Sequence, residues 1–246
     1  MSERRRMMMS EKRLLEDGLL FWFDGLNKGT AQSTKWEPYY CNSTLGNFYM
    51  NTVGSPTVNN NGYGCSVGNL FTSNINPFIY ARNGYTVIIC VSDITYQSTA
   101  NDYAFLSFNR NVKNYQYRGE FFLRGNYSQK PLAIWINGYN SVESSVITTV
   151  GSSGCFVFGS DNSKTRFARN DNVSNYICND QSGSRLLTND SNMRIFLSNY
   201  VYNEDQGLKY TSGVPGNYHA LVMYDRLLSS EEIESVTNFL NKRYGI

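Results

Sequence analysis

The chain has 246 residues, a formal net charge of +2 and one histidine. That length allows a sizeable core, and the near-neutral charge argues against nucleic acid as a partner, which would call for clustered lysine and arginine. Hydrophobic residues make up 41% and charged residues 17%, with 19 tyrosines and 20 glycines, a mix that favours strands joined by turns.

Residues 1–17 stand apart as an arm. Arg4, Arg5 and Arg6 form a positive cluster, and Met7, Met8 and Met9 a soft apolar one. The segment reads either as a disordered tail or as a docking peptide that orders against a partner. It does not read as a signal peptide, because Glu11, Lys12, Arg13, Glu16 and Asp17 interrupt any apolar core. No stretch approaches the length needed to span a membrane.

The body, residues 18–246, reads as one all-β domain. Residues 19–23 (LLFWF) form the first strand, and Asp24-Gly25 a turn. Short strands follow at NFYM, YGCSV and PFIY, with NNNG at 59–62 as a turn. Residues 84–92 (GYTVIICVS) are the most apolar strand and read as central, with 103–109 as their hairpin neighbour. Strands at 120–124, 131–137, 145–150 and 155–159 continue a meander, the spacing of a sandwich or barrel. Residues 160–192 are weakly patterned, 193–199 restore a clear strand, and 200–216 read as a long loop of the kind that is often functional.

Residues 217–246 close the chain. Tyr218, Ala220, Val222 and Tyr224 alternate with His219, Leu221 and Met223, so both faces of this strand are expected to be covered. Ser229 and Glu232 form a capping box, and Ile233, Val236 and Leu240 an inward stripe, with Glu234, Asn238 and Asn241 facing water. This unit is expected to cover one end of the sandwich. Five cysteines lack C-x-x-C spacing. Cys90 and Cys155, inside apolar runs, read as free buried thiols of a reduced protein made in a cytoplasm.

Three pieces, in order, resemble the concanavalin A-like lectin/glucanase superfamily in its laminin-G-like branch. LLFWFDGLNKG followed by Trp36 is similar to that branch's opening strand, its corner at Asp24 and its loop tryptophan. MRIFLSN is similar to a late strand in which a glycine is frequent where this chain has Leu197-Ser198. ALVMYDRLLSSEEIESVTNFLNKRYG is similar to the closing signature, carried here by Tyr224, Arg226, Ser229 and Glu232. The resemblance implies a jelly-roll sandwich of two antiparallel sheets, one concave, with a short C-terminal α-helix. Functions in the superfamily range over glycan binding, glycoside hydrolysis and adhesion, so fold does not decide function. The basic, Met-rich start and the Asn- and Tyr-rich body also resemble structural proteins of tailed bacteriophages. That implies a virion protein of capsid or tail, made in the host cytoplasm, held to other virion proteins by its arm and meeting host or mucosal glycans. A homo-oligomer is compatible with this.

The chemistry was weighed against that frame. A retaining glucanase of this superfamily needs two close carboxylates, written E-x-D-x-x-E. The motif is absent: Glu231, Glu232 and Glu234 start a helix, and Glu120 and Glu143 stand alone. The expectation is therefore no enzyme. His219 reads as a core or rim histidine. The resemblance allows calcium, for which Asp161 and Asp171, with Asn162 and Asn172, are candidate ligands, as are Asp24 and Asn27. Glycan binding needs an aromatic platform beside amides, which Trp135, Asn137, Tyr139 and Asn140 supply, while Tyr200 and Tyr202 offer a second pair. The resulting expectation is a virion decoration protein with a lectin-like domain. The alternatives are a carbohydrate-binding or adhesion module of a bacterial cell and, third, a glycoside hydrolase.

Overall fold

A computed structural model of the protein describes residues 16–26, 34–66, 68–95, 105–110, 124–125, 132–133, 151–172, 176–184, 191, 193–198, 200–204, 207–211 and 213–246. In chain order the strands are β1 (Leu19–Asp24), β2 (Lys35–Trp36), β3 (Tyr40–Cys41), β4 (Met50–Val53), β5 (Thr57–Asn59), β6 (Gly62–Cys65), β7 (Leu70–Ser73), β8 (Gly84–Ser92) and β9 (Leu106–Arg110). They continue as β10 (Arg124–Gly125), β11 (Leu132–Ala133), β12 (Gly154–Asp161), β13 (Lys164–Asp171), β14 (Ile177–Ser182), β15 (Met193–Leu197), β16 (Tyr200–Glu204), β17 (Gly207–Thr211) and β18 (Gly216–Tyr224), before helix α1 (Ser230–Tyr244).

A large antiparallel sheet runs β14-β13-β12-β8-β18-β1-β3, with β6 also on β18 and β5 on β6. A small one runs β2-β4-β7-β15-β9. The two face each other as a jelly-roll sandwich. The β-branched run of β8 makes it the middle of the large sheet, where every one of its residues is buried.

Rings fill the space between the sheets. Trp36 is wholly buried and lies 5.4 Å from the Phe23 ring, 5.0 Å from Tyr63 and 5.4 Å from Phe71. Its side chain, expected on sequence as a loop marker, is thus a central piece of the core. On the other face of the large sheet, Ile233, Val236 and Leu240 of α1 pack with Trp22, Ile88, Val157, Val222 and Tyr224. The helix therefore lies across the outer face, over β8, β12 and β13, and not over an end of the sandwich as expected. The capping box is formed: Ser229 Oγ accepts from Glu232 N at 3.1 Å, and Glu232 Oε2 accepts from Ser229 N at 2.8 Å. Gly245 ends the helix in the left-handed region at φ 70°.

Several expectations are corrected. Residues 106–110 pair with β15 in the small sheet and not with β8, whose partners are β12 and β18. PFIY is a 3-10 turn capped by Asn76. The 59–62 turn is present between β5 and β6, but without a positive φ at its asparagines. Residues 164–171 are a full strand. Their polar sequence hid it, because the side chains facing α1 are buried through directional bonds. Arg166 Nη1 donates to Leu228 O at 2.8 Å, and Asn170 Nδ2 to Thr237 Oγ1 at 3.1 Å and Asn238 Oδ1 at 2.7 Å. Asn241, expected in water, donates to Asn170 O at 2.9 Å. In the segment expected as loop, residues 200–204 and 207–211 pair as β16 and β17. Cys90 and Cys155 stand directly opposite in the β8–β12 register, with Cα atoms 4.2 Å apart, and are joined as a disulfide. The reading of these two as free thiols is corrected. Cys41, Cys65 and Cys178 are free. Ser198 takes φ 63°, the conformation that glycine favours, at the place where the resemblance has a glycine.

Candidate functional site

A bulge in β18 builds a polar constellation at one end of the large sheet. Its pairing with β8 shifts register between Tyr218 and Ala220, so His219 is the extra residue. As a result Tyr218 joins Leu221 and Met223 on the inner face, not Ala220, Val222 and Tyr224 on the helix face as simple alternation predicts. His219 is buried, and its ring stacks on Tyr244 of α1 at 5.4 Å. Nδ1 lies 2.8 Å from the Asn61 carbonyl, which can only accept, so Nδ1 carries hydrogen. Nε2 lies 2.8 Å from Ser92 Oγ, and Ser92 Oγ lies 3.0 Å from Asp93 Oδ2. Ser92 has one hydroxyl hydrogen, for His219 or for Asp93; giving it to Asp93 requires hydrogen on both imidazole nitrogens. Gly62 lets the β5–β6 hairpin approach this closely, because a Cβ there would run into Tyr218 O.

Asp93 follows β8 at φ 53°, a left-handed conformation uncommon outside glycine and most accessible to Asn and Asp. Its corner is fixed by Ile94 N to Ser152 O at 2.9 Å and Thr95 N to Pro215 O at 3.0 Å. Asn217 Nδ2 donates to Asp93 Oδ2 at 2.6 Å, and Asn59 Nδ2 donates to Asn217 Oδ1. Across from them, Asn69 Oδ1 accepts from Ser55 N at 2.8 Å and its Nδ2 donates to Ser66 Oγ at 3.1 Å. Between these groups opens a cleft of about 260 Å³, walled by Ser55, Thr57, Ser66, Asn69, Asp93 and Asn217. Cys65 also lines it, and burial pushes that thiol well up, so it stays protonated and is a poor nucleophile.

Beside this cleft lies a second polar cluster. Asp24, wholly buried, pairs with Arg243 through Oδ2, while Oδ1 accepts from Tyr244 Oη at 2.8 Å and Leu26 N at 3.0 Å. Arg243 sits 5.0 Å over the Trp22 ring. Asp24 thus ties the first strand to the last helix.

The sequence candidates fare unevenly. Trp135, Asn137, Tyr139, Asn140, Asn27 and the arm residues Arg4 to Met9 lie outside the described residues. Tyr200 and Tyr202 occupy β16 opposite Thr211 and Lys209. Asp161 and Asp171 are not brought together, because they end opposite sides of the β12–β13 hairpin, on the order of 20 Å of extended chain apart. Asp161 accepts from Ser163 N at 2.7 Å and Lys164 N at 2.9 Å. Burial tends to raise its carboxyl, but these bonds outweigh it and hold the group below the usual range. Asp171 Oδ2 accepts from Gly151 N at 3.0 Å and Arg169 Nη1 at 3.1 Å. Among the described residues no group of three or more His, Cys, Asp or Glu is arranged to hold a metal ion. Arg226 binds Glu232 at 2.7 and 2.8 Å and Asp17 at 3.0 Å, a structural clamp. The cleft itself went unnoticed on sequence. Its signal was polar residues at the ends of apolar strands, Ser92-Asp93 after β8 and Asn217 opening β18.

No protein-family model and no curated protein sequence matches the chain. Solved structures do. Trypanosoma rangeli sialidase, in complex with 2,3-difluorosialic acid as a covalent intermediate, matches at a TM-score of 0.61 and 12% identity over 97% of this chain and 38% of that one. Domain 4 of AbnA, a GH43 extracellular arabinanase from Geobacillus stearothermophilus, in complex with arabinotriose, matches at 0.56 and 12% over 89% of this chain and 98% of that one. The receptor-binding domain of botulinum neurotoxin C/D mosaic serotype matches at 0.56 and 13% over 90% and 51%. The shared feature is the β-sandwich fold. One expectation is corrected by these neighbours. The absence of E-x-D-x-x-E does not exclude an enzyme, since the sialidase and the arabinanase are enzymes. Sialidases, moreover, use a tyrosine nucleophile in place of that carboxylate pair, so the missing motif excludes nothing beyond glucanase chemistry.

Proposed function

We propose that this protein is a glycan-binding β-sandwich module, displayed on a tailed-bacteriophage virion and held there by residues 1–17. The observation that carries the first half is the cleft beside β18. Its walls are hydroxyls, amides and one carboxylate, the groups that match sugar hydroxyls. At about 260 Å³ it falls just short of the roughly 300 Å³ at which small-molecule sites begin, which suits one sugar residue. Supporting it is the fold shared with a sialidase, with an arabinanase domain in complex with arabinotriose and with a toxin's receptor-binding domain. Supporting the second half are the arm's basic and Met clusters and the sequence resemblance to phage structural proteins, with synthesis in the host cytoplasm and attachment to head or tail.

Gly64 provides a clean test of the cleft. A Cβ there meets Asn59, Thr57 and Asn217 at 3.4 to 3.6 Å, ordinary contact, so Gly64→Ala narrows the cleft without forcing the backbone. On a glycan array and by titration calorimetry the full chain binds a neutral oligosaccharide, and Gly64→Ala weakens that binding about tenfold with an unchanged melting temperature. Equal binding by the variant would move the site elsewhere. Deleting residues 2–13 leaves that binding intact and abolishes incorporation into particles; normal incorporation would remove the docking role of the arm.

A further inference from the structure

The charge inside the cleft sets which sugars it can accept, a step that rests on the glycan-binding reading above. Among the described residues that line it, Asp93 is the one formal charge, and none is a lysine, arginine or histidine. Oδ2 of Asp93 accepts from Asn217 and lies 3.0 Å from Ser92 Oγ, and Oδ1 bonds to no described residue. Asn217 Nδ2 donates one hydrogen to Asp93 while its Oδ1 accepts from Asn59, and Asn69 Nδ2 donates one to Ser66 while its Oδ1 accepts from Ser55, so each amide keeps a second N–H. Facing a ligand, then, are the hydroxyls of Ser55 and Thr57, these amide N–H groups and one carboxylate oxygen. An ionised carboxylate accepts hydrogen bonds and donates none, so its partner must bring donors. Sugar hydroxyls do so. A sugar carboxylate brings no donor, carries like charge, and finds no cation among the described lining residues to balance it.

We infer that the cleft takes uncharged, hydroxyl-rich sugars and turns away those bearing a carboxylate, such as sialic and uronic acids. In this it differs in ligand class from the sialic acid derivative bound by the sialidase whose fold it shares. Asp93 is the selecting residue. The left-handed backbone at Asp93 is one that asparagine also tolerates, so Asp93→Asn removes the charge with little change of shape.

The test pairs neutral and acidic sugars of matched size: lactose with 3′-sialyllactose, and trigalactose with trigalacturonic acid, titrated into the full chain at low salt. The expected result is that one neutral sugar binds at least tenfold more tightly than its acidic counterpart. Asp93→Asn then brings the ratio to within threefold of parity. In the unaltered protein, raising the salt from about 0.05 to 0.5 M also narrows the gap, because like-charge repulsion is screened; this arm does not depend on the variant folding. An acidic sugar bound as tightly as its neutral partner would overturn the inference while leaving the glycan-binding reading in place. So would a ratio unmoved by both Asp93→Asn and salt. Binding of neither class, on these pairs and on a wider array, would remove the glycan-binding reading itself, and the inference with it.

Discussion

On its inner face the large sheet meets the small one through aromatic rings such as Phe21, Phe23, Trp36 and Phe71, packed at 5.4 to 5.5 Å or closer. On its outer face it meets α1 through an apolar stripe ringed by directional bonds: Asp24 with Arg243 and Tyr244, Asn170 with Thr237, Asn238 and Asn241, and Arg166 with Leu228 O. Ring packing is strong but tolerant of small shifts, since burial of apolar area is non-directional. Hydrogen bonds and ion pairs add less net energy but fix position. The inner face therefore sets how stable the sandwich is, and the outer face sets where the helix lies.

The largest effect should come from the inner face. Trp36→Ala is expected to cost about 3–5 kcal/mol in urea unfolding; a loss under about 1 kcal/mol would show that the sheets do not close on this ring. Next is the outer anchor. Asp24→Ala strands Arg243 and Tyr244 and should cost on the order of 3 kcal/mol. A double-mutant cycle with Arg243→Ala should recover part of that as coupling, and zero coupling would dismiss the pair as an anchor. Ser229→Ala should cost about 1 kcal/mol through loss of the cap and leave sugar binding untouched.

The smallest effect is that of pH. Hydrogen bonds from Arg226 and Arg166, respectively, hold the Glu232 and Asp180 carboxyls below their ordinary values of 4.5 and 3.8. Their contribution is present in full above those values and is lost as pH falls below them. Both pairs are partly exposed, so water and salt limit the total to about 1 kcal/mol. Melting temperatures between pH 5 and 3 should thus fall slightly less steeply in Glu232→Gln and Asp180→Asn, and parallel curves would refute the assignment.

The same contrast explains what the sequence could reveal. Covered on both faces, β1, β8 and β18 are continuous apolar runs and were legible for that reason, as were β15 and the capped helix, whose signals are local. The outer face was not. β13 carries Arg166 and Asn170 at buried positions on that face, and polar residues read as loop unless their partners, distant in sequence, are known. Strand partnership failed for a related reason: β9 neighbours β8 in the chain but crosses to the other sheet, and hydrophobicity carries no record of which sheet a strand joins. The bulge at His219 defeated simple alternation, since one extra residue reassigns the face of Tyr218. The cleft was invisible because its walls come from turns and strand ends spread over residues 55 to 217.

The bond between Asp24 and Arg243 joins residues 219 positions apart, and β1 is flanked by β18. The short β3 can pair with Phe21 and Trp22 early in synthesis, but the other edge of β1 stays open until β18 has been made. Contacts so distant in sequence close slowly. Until residues 216–224 emerge, LLFWF keeps that edge unpaired, which makes it a segment in need of protection during synthesis and one exposed by loss of β18.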